Sequence, residues 1–384
     1  MRASTTLLLA LVAQAIASPC PKGCGKNKAK AAKNAKAIYV LSNEKANAVV
    51  AMPIGKDGMV GKPVSTATGG EGATGVDDKG QPAVPDALFS QSAVTVAGKD
   101  PTKLAMVGKP AAIPGEFPVT VGASSKNKMA CVGTSGAKAG ISCASFSDKG
   151  LGKMDALRPI DLGQTTPPKG PTNTVSQVFF SRDQKTLFST VKGDPPTNKD
   201  GFIASFPVAA AAAAGQAAKV DSKMNKATPD GTKVLFGATT IPGSKDLFVT
   251  DAAFGAVVLA MDQKTQSAST VKGKGEVDGQ KATCWATVSP ATGTAFVTDV
   301  GSNRLVEMST KDAKVLNTVE LTNGDPGLID LQAAGSFVYA LSPGNGTTPA
   351  AVTVVDAKSR KQVQHVQMDA KLAGKNSMGL AMLK

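Results

Sequence analysis

Pairs of β-type runs joined by polar turns recur from one end of this chain to the other. The clearest are IYVLSNEKANAVVAM from Ile38, MACVGTSGAKAGISCASF from Met129 and LFSTVKGDPPTNKDGFIASF from Leu187. They continue with LFVTDAAFGAVVLAMD from Leu247, AFVTDVGSNRLVEMST from Ala295 and VYALSPGNGTTPAAVTVVD from Val338. Within them Phe248 and Thr250, then Val257 and Leu259, alternate with the period of two that a strand requires. Most pairs are preceded by another short run (VSQVFFSRDQK, KVLFGATTIPGSK, TCWATVSPATG, LIDLQAAGS), and AKVLNTVEL and KQVQHVQM follow as fourth runs. Four antiparallel strands repeated in this way make a β-propeller blade.

The hairpins start at residues 38, 129, 187, 247, 295 and 338, and the first interval is about twice the others. A further blade therefore belongs between Lys62 and Asn127. LFSQSAVTVAG and KLAMVGKP are its expected first and last strands, with little chain left for a middle hairpin. The pattern predicts an all-β fold: one seven-bladed β-propeller of four-stranded antiparallel blades over residues 37–384, its second blade shortened. The final MGLAMLK is expected to pair with the first blade and close the ring. Helix is expected to be scarce, with Ala209–Ala214 at most a helical turn between blades.

The first 18 residues change the picture of where the chain works. Arg2, the apolar stretch Leu7–Ile16 and the small-residue site Ala15-Ile16-Ala17 read as a secretory signal peptide. Residues 19–36 read as a basic arm, carrying Lys22, Lys26, Lys28, Lys30, Lys33 and Lys36 with no acid. That arm supplies much of the formal charge of +14 among 384 residues. Only Arg2, Arg158, Arg182, Arg304 and Arg360 are arginines, and arginine is the residue that reads phosphates and guanine edges bidentately. The charge therefore points to an anionic polysaccharide or cell surface and not to nucleic acid.

An exported chain is expected to oxidise its cysteines. Cys131 and Cys143 flank a glycine-rich turn and could face each other across a hairpin; Cys20 and Cys24 could close a loop in the arm. Cys284 is then left over as a buried thiol beside Trp285, the only tryptophan. Asn345-Gly346-Thr347 is a glycosylation sequon in an expected exposed turn. With one histidine, His365, any imidazole chemistry must run through KQVQHVQM, an outermost strand. Gly70–Gly75 spells GxGxxG but opens no helix. Asp251 and Asp299 recur at one position of two FVTD hairpins and are expected to stabilise turns. No metal site, cofactor or transmembrane segment is expected.

Several stretches together resemble one family: AIYVLSNEKANAVVAM, DALFSQSAVTV, GEFPVTVGASSKNKMACV, NTVSQVFFS, TVKGDPPTNKDGFIASFPV, GTKVLFGATTIPGS and GLIDL. They are similar to the secreted fungal proteins named after 3-carboxymuconate cyclase, within the seven-bladed lactonase-type propellers. Two departures stand out. Members of that family carry a further strand pair where Lys99 here runs straight into Asp100-Pro101. Lactonising relatives are thought to use a histidine with arginine and glutamate in the central cavity, where this chain's histidine is not expected.

Turnover of a lactone would need a proton donor and a cation to hold a carboxylate. Such groups belong where the innermost strands begin, at the channel mouth. Glu116 as acid/base with Lys192 holding the carboxylate is the catalytic candidate. Phe117, Asn173, Gln177, Asp194, Cys284, Trp285 and Asp330 are the candidate binding residues. The simpler reading, and the favoured one, is that Glu116, Asn173 and Asp330 satisfy backbone groups where strands enter the sheet. The favoured reading is a secreted, monomeric, lactonase-like propeller that is a non-catalytic glycoprotein binding an extracellular or cell-wall ligand. The alternative is an extracellular lactonase or muconate-type cycloisomerase taking a small lactone or carboxylate.

Overall fold

A computed structural model describes residues 34–97, 104–213 and 216–384. The expected signal sequence, most of the expected basic arm, and the expected Cys20–Cys24 pairing lie outside the described residues. Every hairpin read from the pattern forms, and the sheets are antiparallel throughout. From inside outward, the first sheet runs Met378–Leu383, Ala37–Leu41, Ala48–Pro53 and Val64–Ala67. The others start from the inner strands Pro118–Ser124, Val175–Phe180, Leu235–Thr240, Thr283–Val288 and Ile329–Ala334. Six four- or five-stranded sheets of this kind make a β-propeller. There is no α-helix among the described residues, and Ala210–Ala213 is an exposed bend.

Burial explains why the pattern was legible. The second strands Thr186–Val191, Leu247–Asp251 and Ala295–Asp299 are buried at every residue, because each is covered on both faces by neighbouring sheets. Their sequences are accordingly near-continuous apolar and small-residue runs. Outermost strands such as Val315–Glu320 and Lys361–Gln367 are mostly exposed and carry the polar alternation. The ring closes as expected: Ala37 pairs with Leu383, and Val40 with Leu380. Asp251 and Asp299 do one job in two sheets. Asp251 accepts the amides of Lys233, Val234 and Ala253, and Asp299 those of Lys281, Ala282 and Gly301, tying each hairpin to the start of its inner strand.

Six blades form among the described residues and not the expected seven, because the second blade is not built. Neither LFSQSAVTVAG nor KLAMVGKP forms a strand in its described residues. Without a middle hairpin these segments have no edge to pair with, and unpaired backbone groups must find other partners. Residues 87–91 instead run buried into the molecule, while Met106 and Val107 remain on the surface, 55% and 53% exposed.

Closure by the C-terminal strand makes a direct prediction. Deleting residues 378–384 removes the buried Met378, Leu380 and Leu383, each stabilising by about 1.5–3 kcal/mol. It also strips Ala37–Leu41 of its inner partner. The truncated chain should lose cooperative thermal unfolding; an unchanged melting curve would show that the ring does not depend on this strand.

Candidate functional site

The centre of the ring is set by a defect repeated six times. In each sheet the innermost strand gains one residue against its partner near its start: the shifts fall at Val119, Ser176, Phe236-Gly237, Cys284, Asp330 and Gly379. A bulge leaves backbone groups of the extra residue outside the ladder. Here Val119 O and Ser176 O face the axis, whereas Phe236 O and Cys284 O accept the hydroxyls of Thr190 and Thr250.

The segment Phe89–Val94 occupies that axis and reaches all six inner strands. Ser90 Oγ donates to Val119 O at 2.6 Å, and Gln91 N to Ser176 O at 2.9 Å. The Gln91 side chain reads Ala286 twice, donating Nε2 to its carbonyl at 3.0 Å and accepting its amide at 3.2 Å. Trp285 Nε1 donates to Ser90 O at 3.0 Å, and Ser92 N to Asp330 Oδ2 at 3.0 Å. Two glycines make the approach possible: a Cβ on Gly237 would lie 2.1 Å from Gln91 Oε1, and one on Gly379 2.9 Å from Val94 N.

Asp330 is fully buried at a positive φ of 34° and accepts the amides of Ser92, Leu331 and Leu380. Burial pushes its carboxyl up to about 7 against those three amides. Gln177 accepts the Ala238 amide at 2.6 Å and turns its Nε2 toward Ser92 Oγ. Gln177, Trp285 and Asp330 thus stand on the axis, engaged by the chain itself.

Beyond the axial segment, where the inner strands begin, lies a cavity of about 390 Å³. Pro82, Val84, Val234, Phe236 and Ala282 give it apolar walls, and Asp77, Asp86, Lys192 and Cys284 are its ionisable groups. Lys192 Nζ donates to Phe89 O at 2.5 Å and to Ser176 Oγ at 3.2 Å, and sits 4.2 Å from the centre of the Phe236 ring. Burial lowers its ammonium to about 8, the Asp86 charge resisting. Burial likewise raises Asp86 to about 7 against the Lys192 charge and the amides of Ser90 and Phe89, and its Oδ1 has no hydrogen-bond partner. Cys284 is a buried free thiol held well above its usual range, chiefly by burial. Two groups that both titrate near neutrality in one apolar cavity can exchange a proton or hold a polar ligand.

The remaining candidates lie elsewhere. Glu116 does not line this cavity: its Oε2 accepts Thr166 Oγ1 at 2.6 Å, and Lys138 Nζ stands 3.7 Å from its Oε1. The structure therefore separates Glu116 from Lys192. Phe117 packs against the core at a φ of 56°. Asn173 donates to Leu162 O, and Asp194 accepts Thr172 Oγ1 and Thr197 Oγ1. Both are occupied by local structure. Cys131 and Cys143 form a disulfide across directly paired positions. Asn345 is exposed in a turn where its Oδ1 accepts the amides of Thr347 and Thr348. His365 lies on the outermost strand as read from the sequence, but its side chain is only 15% exposed and its Nε2 meets Asp325 at 3.1 Å. Asp86, Ser90, Gln91 and Ser92 were not singled out by pattern. Their signal was a polar Ser-Gln-Ser inside a run that reads as a buried strand.

No family model matches the chain, and no curated protein does. Among solved structures it is similar to a chain of a nidogen/laminin complex, with a TM-score of 0.51 and 12% identity over 90% of this chain and 98% of that one. It is also similar to a Lactobacillus plantarum protein, with a TM-score of 0.50 and 11% identity over 87% and 82% of the two chains. A Pseudomonas aeruginosa periplasmic gluconolactonase aligns at a TM-score of 0.49 and 13% identity, over 86% and 84%. At such identities the likeness establishes the β-propeller fold alone.

Two outcomes follow from this geometry. Gln91→Ala leaves the Ala286 amide and carbonyl without partners, at a cost of about 1–3 kcal/mol for each group; denaturant unfolding at neutral pH measures it. Asp86 is more basic folded than unfolded, so the folded state binds more protons between about pH 4 and 7, and stability falls as pH rises through that window. Asp86→Asn should make that fall shallower, leaving the part owed to Asp330. An unchanged pH slope would contradict the assignment.

Proposed function

We propose that this chain is an exported, lactonase-like propeller that binds an anionic extracellular or cell-wall polymer and does not turn over a lactone. One observation carries the reading: the axial channel, where the sequence resemblance would put catalysis, is filled by Phe89–Val94. The polar groups on its wall already serve that segment. Cationic side chains supply the attraction to a polyanion. Arg158, Arg304 and Arg360 are taken up by Asp155, the Asp278 carbonyl and Glu307, which leaves the surface lysines and Arg182 as the exposed cations among the described residues. The Cys131–Cys143 disulfide is compatible with export, and no helix among the described residues is long and apolar enough to cross a membrane.

A second reading is favoured by one observation. Asp86 shares the mouth cavity with Lys192, and its carboxyl is raised to about 7, as a general acid's would be, with the Lys192 ammonium beside it. In that reading the enzyme is a lactonase whose acid is Asp86 and not Glu116.

The two readings part in a single pair of assays. With muconolactone and 6-phosphogluconolactone as substrates, the binding reading predicts hydrolysis at the buffer rate. It also predicts retention on isolated cell walls that weakens as salt rises, because exposed charges are screened beyond about 8–10 Å at moderate salt. Turnover abolished by Asp86→Asn but untouched by Glu116→Gln would overturn it in favour of the lactonase.

A further inference from the structure

At the opposite end of the barrel from the mouth, where the inner strands finish, a groove runs outward between two neighbouring sheets. It encloses about 480 Å³. One wall carries Arg182 and Lys185, from the turn between the strands Val175–Phe180 and Thr186–Val191. The other carries Lys245 from the turn before Leu247–Asp251, and Gln263 from the turn after Gly255–Asp262. Those two turns are separated by two strand spacings, about 10 Å, so the groove is long enough for more than one sugar ring.

Its charge is unbalanced. Asp183 is the single acid on its walls; its Oδ1 accepts Ser181 Oγ at 2.7 Å and the Lys185 amide at 3.1 Å, and its charge offsets only part of that of Arg182, Lys185 and Lys245. Arg182 is the one arginine among the described residues with no hydrogen bond or ion pair, whereas Arg158, Arg304 and Arg360 all have partners. The Lys185 ammonium has no hydrogen bond or ion pair and lies within the field of Asp183, and Lys245 Nζ donates to Gln263 Oε1. The side chains of Thr186 and Gln266 add neutral hydrogen-bonding groups, already bonded to each other at 3.0 Å. An unpaired guanidinium offers a planar fork for a carboxylate or sulfate. Lysines on both walls supply the remaining counter-charge, and amides suit sugar hydroxyls.

We infer that this groove is the site at which the propeller holds an acidic polysaccharide. The inference rests on the binding function proposed above and assigns it to Arg182, Lys185 and Lys245. Specificity comes from the carboxylates or sulfates that alternate with hydroxyls along such a chain; the basic arm adds attraction without position.

The test titrates the full chain with a polygalacturonate oligosaccharide, with a neutral chitin oligomer and duplex DNA as comparisons. Arg182→Gln/Lys185→Gln/Lys245→Gln alters exposed positions, so its melting temperature should match the parent. Its affinity for polygalacturonate should drop at least 10-fold with a shallower salt dependence. A second variant, with Lys22, Lys26, Lys28, Lys30 and Lys33 changed to Gln, should lose far less and keep its preference over chitin. If the parent binds polygalacturonate and walls but the triple variant binds equally well, the groove is wrong and the binding function stands. If the parent binds neither, the binding function itself fails. Duplex DNA bound as tightly as polygalacturonate, and lost in the same variant, would overturn the choice of polysaccharide.

Discussion

Six bulged inner strands meet at one axis, and the backbone groups they leave outside their ladders must be satisfied there. An ordinary propeller can leave that work to water in an open channel. In this chain Ser90 and Gln91 do it at two bulges, bonding Val119 O and Ser176 O, while the Thr190 and Thr250 hydroxyls serve Phe236, Gly237 and Cys284. Gln91 and Ser92 add bonds to Ala286 and the Asp330 carboxylate. A buried amide or carbonyl left unpaired costs about 1–3 kcal/mol, so an axial segment with five such contacts outweighs most single packing interactions. The segment is also a wedge. Ser92 O accepts Val121 N on one side, and Ala93 and Val94 pack against Gly379 on the other, so it fills the gap between the first sheet and the sheet that follows it.

The same segment determines what chemistry is left. It forms the floor of the mouth cavity through Phe89, whose carbonyl holds Lys192, and its amides face Asp86. Burial then moves both charges toward neutrality, which is the common route by which an apolar cavity produces groups that titrate near pH 7. Cys284 shares this burial and is pushed the other way from reactivity, since an apolar setting disfavours its thiolate. What would have been a channel is thus a partly open cavity with two tuned groups, and the unpaired Arg182 guanidinium lies at the other end of the inner strands.

Most of the fold could be read from residues because burial on both faces writes itself into composition. FVTD at Leu247–Asp251 and at Ala295–Asp299 has the same pattern because the two strands have the same neighbours and the same carboxylate task. The Cys131–Cys143 hairpin was legible from a turn, and the closing strand MGLAMLK from its unpaired apolar alternation. DALFSQSAVTV was misread because local alternation is blind to whether a partner strand exists. The run does suit a strand, and only the absent hairpin turns it inward. Glu116 and Lys192 were joined on the strength of lying near strand starts. The side chains diverge because Glu116 sits outside the inner strand, beside Thr166, whereas Lys192 follows a second strand that is buried throughout. Asp86 had no local signal at all, since its environment is built by residues far away in sequence.

Ser90–Ser92 is a fixed part of the core and not a surface loop. Amide hydrogen exchange tests it most directly, because exchange at Gln91 and Ser92 requires release of Ser176 O and Asp330 Oδ2. Protection of these two amides comparable to that of Thr186–Val191 is the predicted result. Exchange as fast as that of the exposed Met106 and Val107 would contradict the filled axis and the binding function built on it.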